Sequence, residues 1–339
     1  MKTKLTWLVL IALAAIWYPA AAKGPTGSSD KVRRFEFTYQ ATVEPASGGT
    51  LNIWIPVANS DENQDVSLKG VSTSIPTQIR SDYQYGNTVL YGEIQNSQGP
   101  TTLSVTYEVT RKEYSRGGLS ELMRYNRASD PSPPGLARFL EPDRLVPING
   151  KFQSMADEIT RGKHGDVEKA YAIYDYVFHT LRYDKSGEGW GRGDAMWACD
   201  SKHGNCTDFH SLFIALMRAE KIPARFEIGF PLPAGGSQGE IPGYHCWSEF
   251  YVSGLGWVPV DISEAWKDPA RHDFFFGSLD TNRVQFTIGR DLTLVPPQSG
   301  PALNYFVYPY VELNGRPYEH VEKKFSFRDL PSEGRAAGR

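Results

Sequence analysis

Apolar and polar residues alternate along the first third of the chain, from Arg34 to Thr110. In "FEFTYQATV" every second residue is apolar, and "LNIWIPV" and "LSVTYEV" repeat the pattern. Turn-rich segments such as "EPASGGT" separate these stretches. A period of two between polar turns is typical of short strands that bury one face. The pattern predicts an all-β, sandwich-like domain over residues 30–128.

A second pattern begins after a proline- and glycine-rich segment, residues 129–150, which is predicted to be a linker. "DVEKAYAIYDYVFHTLRY" and "CTDFHSLFIALMRAE" space their apolar residues three and four apart, as amphipathic helices do. Pro223 cannot continue the second helix. Four strand-like stretches follow, between Arg225 and Gly289. Helices followed by strands predict an α+β core, with helices packed on an antiparallel sheet, over residues 151–295.

The two ends of the chain carry different signals. Residues 1–22 combine two lysines, a short apolar run and small residues, which is typical of a cleaved signal peptide. We therefore expect an exported protein, periplasmic or secreted, with an uncleaved membrane anchor as the alternative. Residues 296–339 are predicted to form a β-hairpin that completes the core sheet, followed by a polar tail. The turn of that hairpin is expected at Asn314–Gly315.

Composition narrows the class of protein. The chain has 339 residues, and 40% of them are hydrophobic, which is enough for a sizeable core. With 36 basic and 39 acidic residues the net charge is −3, so the charge favours neither nucleic acid nor, after signal cleavage, a membrane as partner. The three cysteines, Cys199, Cys206 and Cys246, are an odd number for an oxidising compartment. Either one pairs with another chain, or one is kept free.

Cys206 stands between a glycine turn and a predicted helix, in "HGNCTDFHSLF". Unpaired N–H groups and the helix dipole at such a position favour a thiolate, the reactive form of cysteine. The same N–H groups suit an oxyanion in acyl transfer. These features indicate a nucleophile, with a buried structural thiol and a zinc ligand as alternatives. The zinc alternative would use Cys199, His203, Cys206 and His210.

A base and an orienting carboxylate are available in "GYHCWSEFYVSGLGWVPVD". His245 opens one predicted strand and Asp261 closes the next. For the two side chains to share a face, the hairpin between the strands needs an odd-length loop or a bulge, and direct opposition needs three loop residues. A two-residue turn would place them on opposite faces and exclude a triad. His210, one helical turn from Cys206, is the alternative base.

Together these motifs resemble the transglutaminase-like superfamily. "GNCTDF", a leucine-rich helix, "IPAR", "HCW" and "GWVPVD" follow that family's order and spacing over residues 167–263. The resemblance implies a papain-like core in which Cys206 is the nucleophile, His245 the base and acid, and Asp261 the residue that orients the imidazole. It also implies a cysteine-dependent amide hydrolase or acyltransferase, and we expect no metal or organic cofactor. Cys246 departs from the family, which commonly has alanine there.

Further residues are candidates for the oxyanion site or for support of the triad: Trp190, Asn205, Asp208, His210 and Trp247. Asp208 suits a helix cap equally well. Cys246 is expected to point away from His245, and a Cys199–Cys246 disulfide is one hypothesis for the odd cysteine count. Arg283 and Arg290 are expected in buried ion pairs, or as a clamp for a substrate carboxylate.

The predicted function is that of an exported thiol enzyme acting on amide bonds of proteins or peptides, cell-wall peptides among them, through a thioester on Cys206. Hydrolysis is favoured over amine cross-linking, because water is always present and no amine site is visible. The alternative from another class is a non-catalytic binding or scaffold protein that keeps the fold.

Overall fold

The structure is a computed structural model that describes residues 31–46, 48–128 and 135–331. The predicted signal peptide lies outside these residues. None of the helices in the described ranges is long and apolar enough to cross a membrane. The helices are α1 (Leu119–Leu122), α2 (Gly150–Ile159), α3 (Asp166–Thr180), α4 (Ala195–Ser201), α5 (Cys206–Ala219) and α6 (Ile262–Lys267).

The strands follow in chain order. They are β1 (Val32–Val43), β2 (Thr50–Val57), β3 (Gln64–Thr73), β4 (Thr77–Ser81), β5 (Thr88–Gln95), β6 (Thr101–Lys112), β7 (Tyr114–Ser115), β8 (Arg182–Tyr183), β9 (His203–Gly204), β10 (Ala224–Pro231), β11 (Gln238–Glu240), β12 (His245–Val252), β13 (Gly256–Val260), β14 (Ser278–Leu279), β15 (Arg283–Ile288), β16 (Tyr310–Leu313), β17 (Arg316–Pro317) and β18 (Val321–Asp329).

Two five-stranded antiparallel sheets form the β-rich region, in the orders β11–β18–β1–β6–β3 and β17–β16–β2–β5–β4. The alternation read from the sequence is present in β1, where Phe35, Phe37 and Tyr39 are buried and the residues between them are half-buried. This buried face supplies the apolar contacts that hold the sheet against the rest of the molecule. The predicted N-terminal β-rich region is therefore confirmed.

The C-terminal strands join this β-rich region rather than the core sheet. β18 pairs with β1, with Phe327 opposite Phe37, and β16 pairs with β2. Asn314 and Gly315 form the two-residue turn between β16 and β17, as predicted. The expectation that residues 296–339 complete the core sheet is thus corrected. Alternation indicates which face of a strand is buried, but it does not indicate which distant strand is the neighbour.

The core sheet has the order β13–β12–β10–β15 and is antiparallel throughout. Helix α5 packs against β10 and β12, while α2, α3, α4 and α6 cover its other sides. All 14 residues of α5 are buried, so it is a central helix rather than one with a single buried face. The predicted α+β core, with helices on an antiparallel sheet, is confirmed.

The β-rich region and the core share one hydrophobic interior. The ring of Phe37 in β1 lies 5.3 Å from that of Phe230 in β10 and 5.5 Å from that of Phe286 in β15. Each fully buried phenylalanine contributes roughly 1.5–3 kcal/mol of transfer free energy. The two regions therefore support each other's folding.

The segment that was expected to be a linker is attached to the core where it is described, over residues 135–150. Asp143 accepts Arg218 of α5 at 2.7 Å and Arg138 at 2.6 Å, and its carboxylate is almost fully buried. Both guanidinium charges hold the pKa of Asp143 below its usual value, although burial alone would raise it. This part of the chain is therefore a fixed connection, not a free linker.

Candidate active site

Cys206 is the first residue of α5, at a sharply defined helix start. Asn205 Oδ1 accepts the Thr207 N–H at 2.9 Å, and the Asp208 carboxylate accepts the Asn205 N–H at 2.9 Å. This capping box satisfies donors of the first turn. Glycine is required at Gly204, since a side chain there would collide with the Asp208 carboxylate. The thiol therefore stands at the positive end of a buried helix dipole.

The hairpin between β12 and β13 places His245 and Asp261 on one face. Its loop contains three residues, 253–255, and the register puts Asp261 opposite Trp247, two positions from His245. His245 Nε2 lies 2.7 Å from Asp261 Oδ2. The predicted odd-length loop is confirmed, while direct opposition of the two residues is not found. A diagonal pair still meets because a long imidazole reaches across the strand end.

Cys206 and His245 share a hydrogen bond, and their charges stabilise each other. Burial raises the pKa of the Cys206 thiol, but hydrogen bonds from Cys246 and His245 and the positive charge of the imidazole bring that pKa well below its usual value. Burial lowers the pKa of His245, but the Asp261 carboxylate raises it to about 10. The two shifts therefore favour a thiolate paired with an imidazolium.

Asp261 is fully buried and accepts hydrogen bonds on both oxygens. Its Oδ2 receives His245 and the Arg283 guanidinium, the latter at 2.8 Å. Its Oδ1 receives the Ser263 hydroxyl and the Glu264 N–H, each at 3.1 Å. Burial raises the pKa of Asp261, but the His245 and Arg283 charges hold it well below its usual value. The carboxylate therefore stays ionised and fixes the ring of His245.

His210 is buried one turn along α5, with both ring nitrogens occupied. Its Nδ1 lies 2.7 Å from the Cys206 carbonyl oxygen, and its Nε2 accepts the Ile262 N–H at 3.1 Å. These partners require the neutral tautomer with hydrogen on Nδ1. Burial also lowers the pKa of His210. His210 therefore ties the start of α5 to the start of α6, and it is not placed to act as the base.

Asp208 holds a loop against the start of α5. Its two oxygens accept the N–H groups of Gly191 at 2.7 Å and Gly193 at 3.0 Å. From the other side, the buried guanidinium of Arg290 donates to the Gly193 carbonyl at 2.8 Å and to the Ser211 hydroxyl. Arg290 is thus a structural clamp for this loop, and its hydrogen bonds go to backbone, hydroxyl and amide oxygens instead of the expected carboxylate.

The two candidate tryptophans have different surroundings. Trp190 leads into the loop at Gly191 and is half-buried, with Lys185 Nζ 5.8 Å from its ring centre. Trp247 is fully buried, and its Nε1–H donates to Glu227 at 2.8 Å. The Arg283 guanidinium lies 5.0 Å above the Trp247 ring. Trp247 therefore packs against the guanidinium that contacts Asp261 and supports its position.

Cys246 points away from His245, as expected, but it lies beside Cys206 and is not paired with Cys199. All three cysteines are free, and Cys199 Sγ lies 3.6 Å from Met155 Sδ, so the proposed Cys199–Cys246 disulfide is absent from the structure. Cys246 Sγ lies 3.8 Å from His210 Nδ1 and within hydrogen-bonding reach of Cys206. Alternation does turn Cys246 away from the face of His245, but α5 packs on that other face and brings Cys206 to it.

The zinc alternative does not agree with this geometry. Within the described ranges, no group of three or more histidine, cysteine, aspartate or glutamate side chains is placed to hold a metal ion. His203 faces the Asp184 carbonyl oxygen, with its Nδ1 3.3 Å away. His210 has no nitrogen to offer, and Cys199 faces Met155. The four proposed ligands therefore do not converge.

Sequence reasoning left three features of the site unassigned. The sequence singled out Arg283 but did not predict its partner Asp261. It placed Cys246 away from His245 without predicting the contact with Cys206. It did not single out Tyr244, whose hydroxyl accepts the Asn205 side-chain N–H at 3.1 Å. Both Tyr244 and Cys246 adjoin the predicted base in the sequence, which is a usable signal. Arg283 lies 22 positions beyond Asp261, and only the strand pairing of the core brings the two together.

Comparisons with known proteins bear on the core that carries this site. Residues 153–262 match the transglutaminase-like superfamily core. An uncharacterized protein of Haemophilus influenzae is 27% identical over 334 residues, covering 86% of this chain and 90% of that protein. The uncharacterized protein YebA of Bacillus subtilis is 24% identical over 268 residues, which cover 70% of this chain and 35% of YebA.

Among solved structures, one from Cytophaga hutchinsonii described as a "Putative Cysteine Protease" has a TM-score of 0.59. It is 17% identical, and the alignment covers 89% of this chain and 94% of that one. This likeness shows a shared fold. Residues 153–262 thus form a transglutaminase-like core.

Proposed function

We propose that this chain is a cysteine-dependent hydrolase of amide bonds in proteins or peptides, with Cys206, His245 and Asp261 as its catalytic triad. One observation carries the proposal: the Cys206 thiol shares a hydrogen bond with an imidazole whose other nitrogen lies 2.7 Å from a buried carboxylate. A nucleophile, a base and a group that orients the base are the parts that covalent acyl transfer requires.

The proposed reaction has two halves. The Cys206 thiolate attacks the amide carbonyl carbon, the C–N bond breaks, and the His245 imidazolium gives its proton to the leaving nitrogen. The acyl group is then held as a thioester on Cys206. His245 next removes a proton from water, which attacks the thioester, releases a carboxylic acid and restores the thiolate.

Asp261 acts on this reaction through His245. Because it binds Nε2, it fixes the ring with Nδ1 directed to Cys206 and stabilises the imidazolium, as the aspartate of a serine triad does. The Cys206 backbone N–H, on the first turn of α5, is the proposed donor to the oxyanion. Trp190 is a second candidate donor, since the loop that follows it is fixed to the same helix start.

Two features bear on the substrate. Only 2% of Cys206 and 4% of His245 is exposed, so the reacting carbonyl must approach through a narrow opening. A slender acyl group, such as a side-chain amide or an extended peptide, suits this access best. We favour water over an amine as the second substrate, because water needs no binding site. The apolar run in residues 1–22 supports export as part of this proposal.

Mass spectrometry of trapped enzyme tests the proposal. The purified chain is mixed with a panel of peptides and exported proteins, quenched in acid, and digested. We expect an acyl adduct on Cys206 that is absent from Cys206→Ala and present in Cys199→Ala, which removes a thiol outside the site. Products formed in heavy-oxygen water should carry the label, whereas an added primary amine should not be incorporated.

The opposing results are equally concrete. Incorporation of the amine with little labelled acid would replace hydrolysis by cross-linking while leaving the nucleophile assigned. An unreactive Cys206 toward both iodoacetamide and every acyl donor, with a folded protein, would contradict catalysis and favour a binding or scaffold role.

A further inference from the structure

A second thiol lies against the nucleophile and has no part in the proposed reaction. Cys246 is fully buried on β12, and Cys206 is exposed by only 2%. His210 links the two positions: its Nδ1 lies 2.7 Å from the Cys206 carbonyl oxygen and 3.8 Å from Cys246 Sγ. The two sulfur atoms are close enough to share a hydrogen bond. A disulfide between them would bring the sulfur atoms to about 2.05 Å.

The two thiols differ in character, which supports a division of roles. Burial raises the pKa of Cys246 well above its usual value, and its hydrogen bond to Cys206 raises it further, so Cys246 stays protonated. Cys206 is the thiolate of the pair. Peroxides oxidise a thiolate much faster than a thiol. Cys206 is therefore the first site of oxidation, and Cys246 is the nearest group that is able to react with the product.

We propose that Cys246 is a resolving thiol, which captures oxidised Cys206 as a reversible Cys206–Cys246 disulfide and so protects the nucleophile from permanent loss. The proposal goes beyond the proposed hydrolase activity and rests on it only for the thiolate state of Cys206. It gives this buried thiol a chemical role as a modification site.

The chemistry balances with hydrogen peroxide as the oxidant. The Cys206 thiolate and one proton react with the peroxide, whose O–O bond breaks, to give a sulfenic acid and water. The Cys246 thiol then attacks the Cys206 sulfur. The S–O bond breaks, an S–S bond forms, and the departing hydroxide takes the Cys246 proton and leaves as water. A dithiol reductant returns two electrons and two protons and restores both thiols.

Cys199 offers a matched control in the same chain. Its sulfur lies 3.6 Å from Met155 Sδ, and its side chain is partly exposed. Trypsin separates all three cysteines, into residues 193–202, 203–218 and 226–267. A disulfide is therefore assigned directly from the pair of peptides that it joins, without any measurement of activity.

The experiment treats the reduced, full-length chain with a slight excess of hydrogen peroxide, blocks free thiols with N-ethylmaleimide, and maps the peptides. We expect peptides 203–218 and 226–267 to be joined, with the loss of two hydrogens, while Cys199 remains alkylated. Dithiothreitol should restore iodoacetamide labelling of Cys206. Cys199→Ala should behave in the same way.

Variants at Cys246 test the protective role. In Cys246→Ala, and in Cys246→Ser should the alanine variant fold poorly, peroxide should convert Cys206 to sulfinic acid, two oxygens heavier, which dithiothreitol does not reverse. Sulfinic acid on wild-type Cys206 beside an alkylated Cys246 would overturn the proposal, as would a disulfide that includes Cys199. Failure of Cys206 to react with iodoacetamide before oxidation would instead count against the proposed function.

Discussion

Two groups of buried charges lie on the same face of β12, one at each end of the strand. His245 is at the start of the strand, where it contacts Asp261. Glu249 is near the far end, where Arg225 lies 2.5 Å from it and also 2.9 Å from Glu227. Trp247 stands between the two groups and connects them, because its Nε1–H donates to Glu227 while Arg283 covers its ring.

The two groups differ in how many positive charges and hydrogen-bond donors surround their carboxylates. Asp261 receives two cationic donors and two neutral ones, so its pKa is held low despite full burial. At the far end two buried carboxylates share one guanidinium, and burial together with Glu227 raises the pKa of Glu249 to about 8 in spite of Arg225. Burial alone therefore does not set the charge of a side chain; the neighbouring charges and hydrogen-bond donors also decide it.

The largest effect is expected from removing the imidazolium at the reactive end. His245→Gln should slow acyl transfer roughly 10²–10⁴-fold, because the general acid and base is lost and the thiolate loses its partner. His203→Gln, which changes a half-buried histidine outside the triad, should have little effect. Steady-state rates and iodoacetamide labelling of both variants check this. Equal rates in the two variants would contradict the assignment of His245.

Arg283→Gln breaks the charge balance of Asp261 without touching the nucleophile. Removing one partner of a buried pair should destabilise the protein by about 3–5 kcal/mol. Arg271→Gln breaks a pair with Asp280 in which the arginine side chain is 38% exposed, and it should cost about 0–1 kcal/mol. Urea denaturation of both variants measures the difference. A loss as small for Arg283 as for Arg271 would show that the donors around Asp261 are redundant.

Glu249→Gln should change how the free energy of unfolding depends on pH. The pKa of Glu249 is higher in the folded than in the unfolded protein. Its protonated form therefore stabilises the fold fully at pH values below the unfolded-state pKa, and this stabilisation is lost as the pH rises through the folded-state pKa of about 8. Wild type should therefore lose on the order of 1–4 kcal/mol between acid and mildly alkaline pH, and Glu249→Gln should be flatter. Exposed Glu322→Gln is the control. Parallel wild-type and Glu249→Gln profiles would contradict the raised pKa.

The sequence predicted more of the His245 end of β12 than of the Glu249 end. Motifs predicted that Cys206, His245 and Asp261 lie together, and strand parity predicted the odd-length loop that the structure has. Such rules use only residues that are close in the chain, where the spacing along a strand or helix sets the face to which each side chain points. The charged group at Glu249 was not predicted, since Arg225 and Glu249 meet only through the pairing of β10 with β12.

The residue pattern within one helix or strand also could not predict which other element packs against it. Alternation predicted correctly that Cys246 and His245 face opposite ways, yet it could not show that α5 covers the face of Cys246. For the same reason α5 was expected to bury one face, although its polar residues, such as Ser211 and Asp208, have buried partners of their own. Tertiary partners, not propensity, decided these positions.

The central claim is that Cys206 is a thiolate held by His245 at neutral pH, and its rate of alkylation tests this most directly. Iodoacetamide labelling of Cys206 is followed by peptide mass spectrometry across a range of pH. We expect a rate that is nearly constant from neutral pH to above pH 8.5 and falls only in acid. A rate that rises about tenfold per pH unit toward about 8.5, as for an ordinary thiol, would contradict the claim.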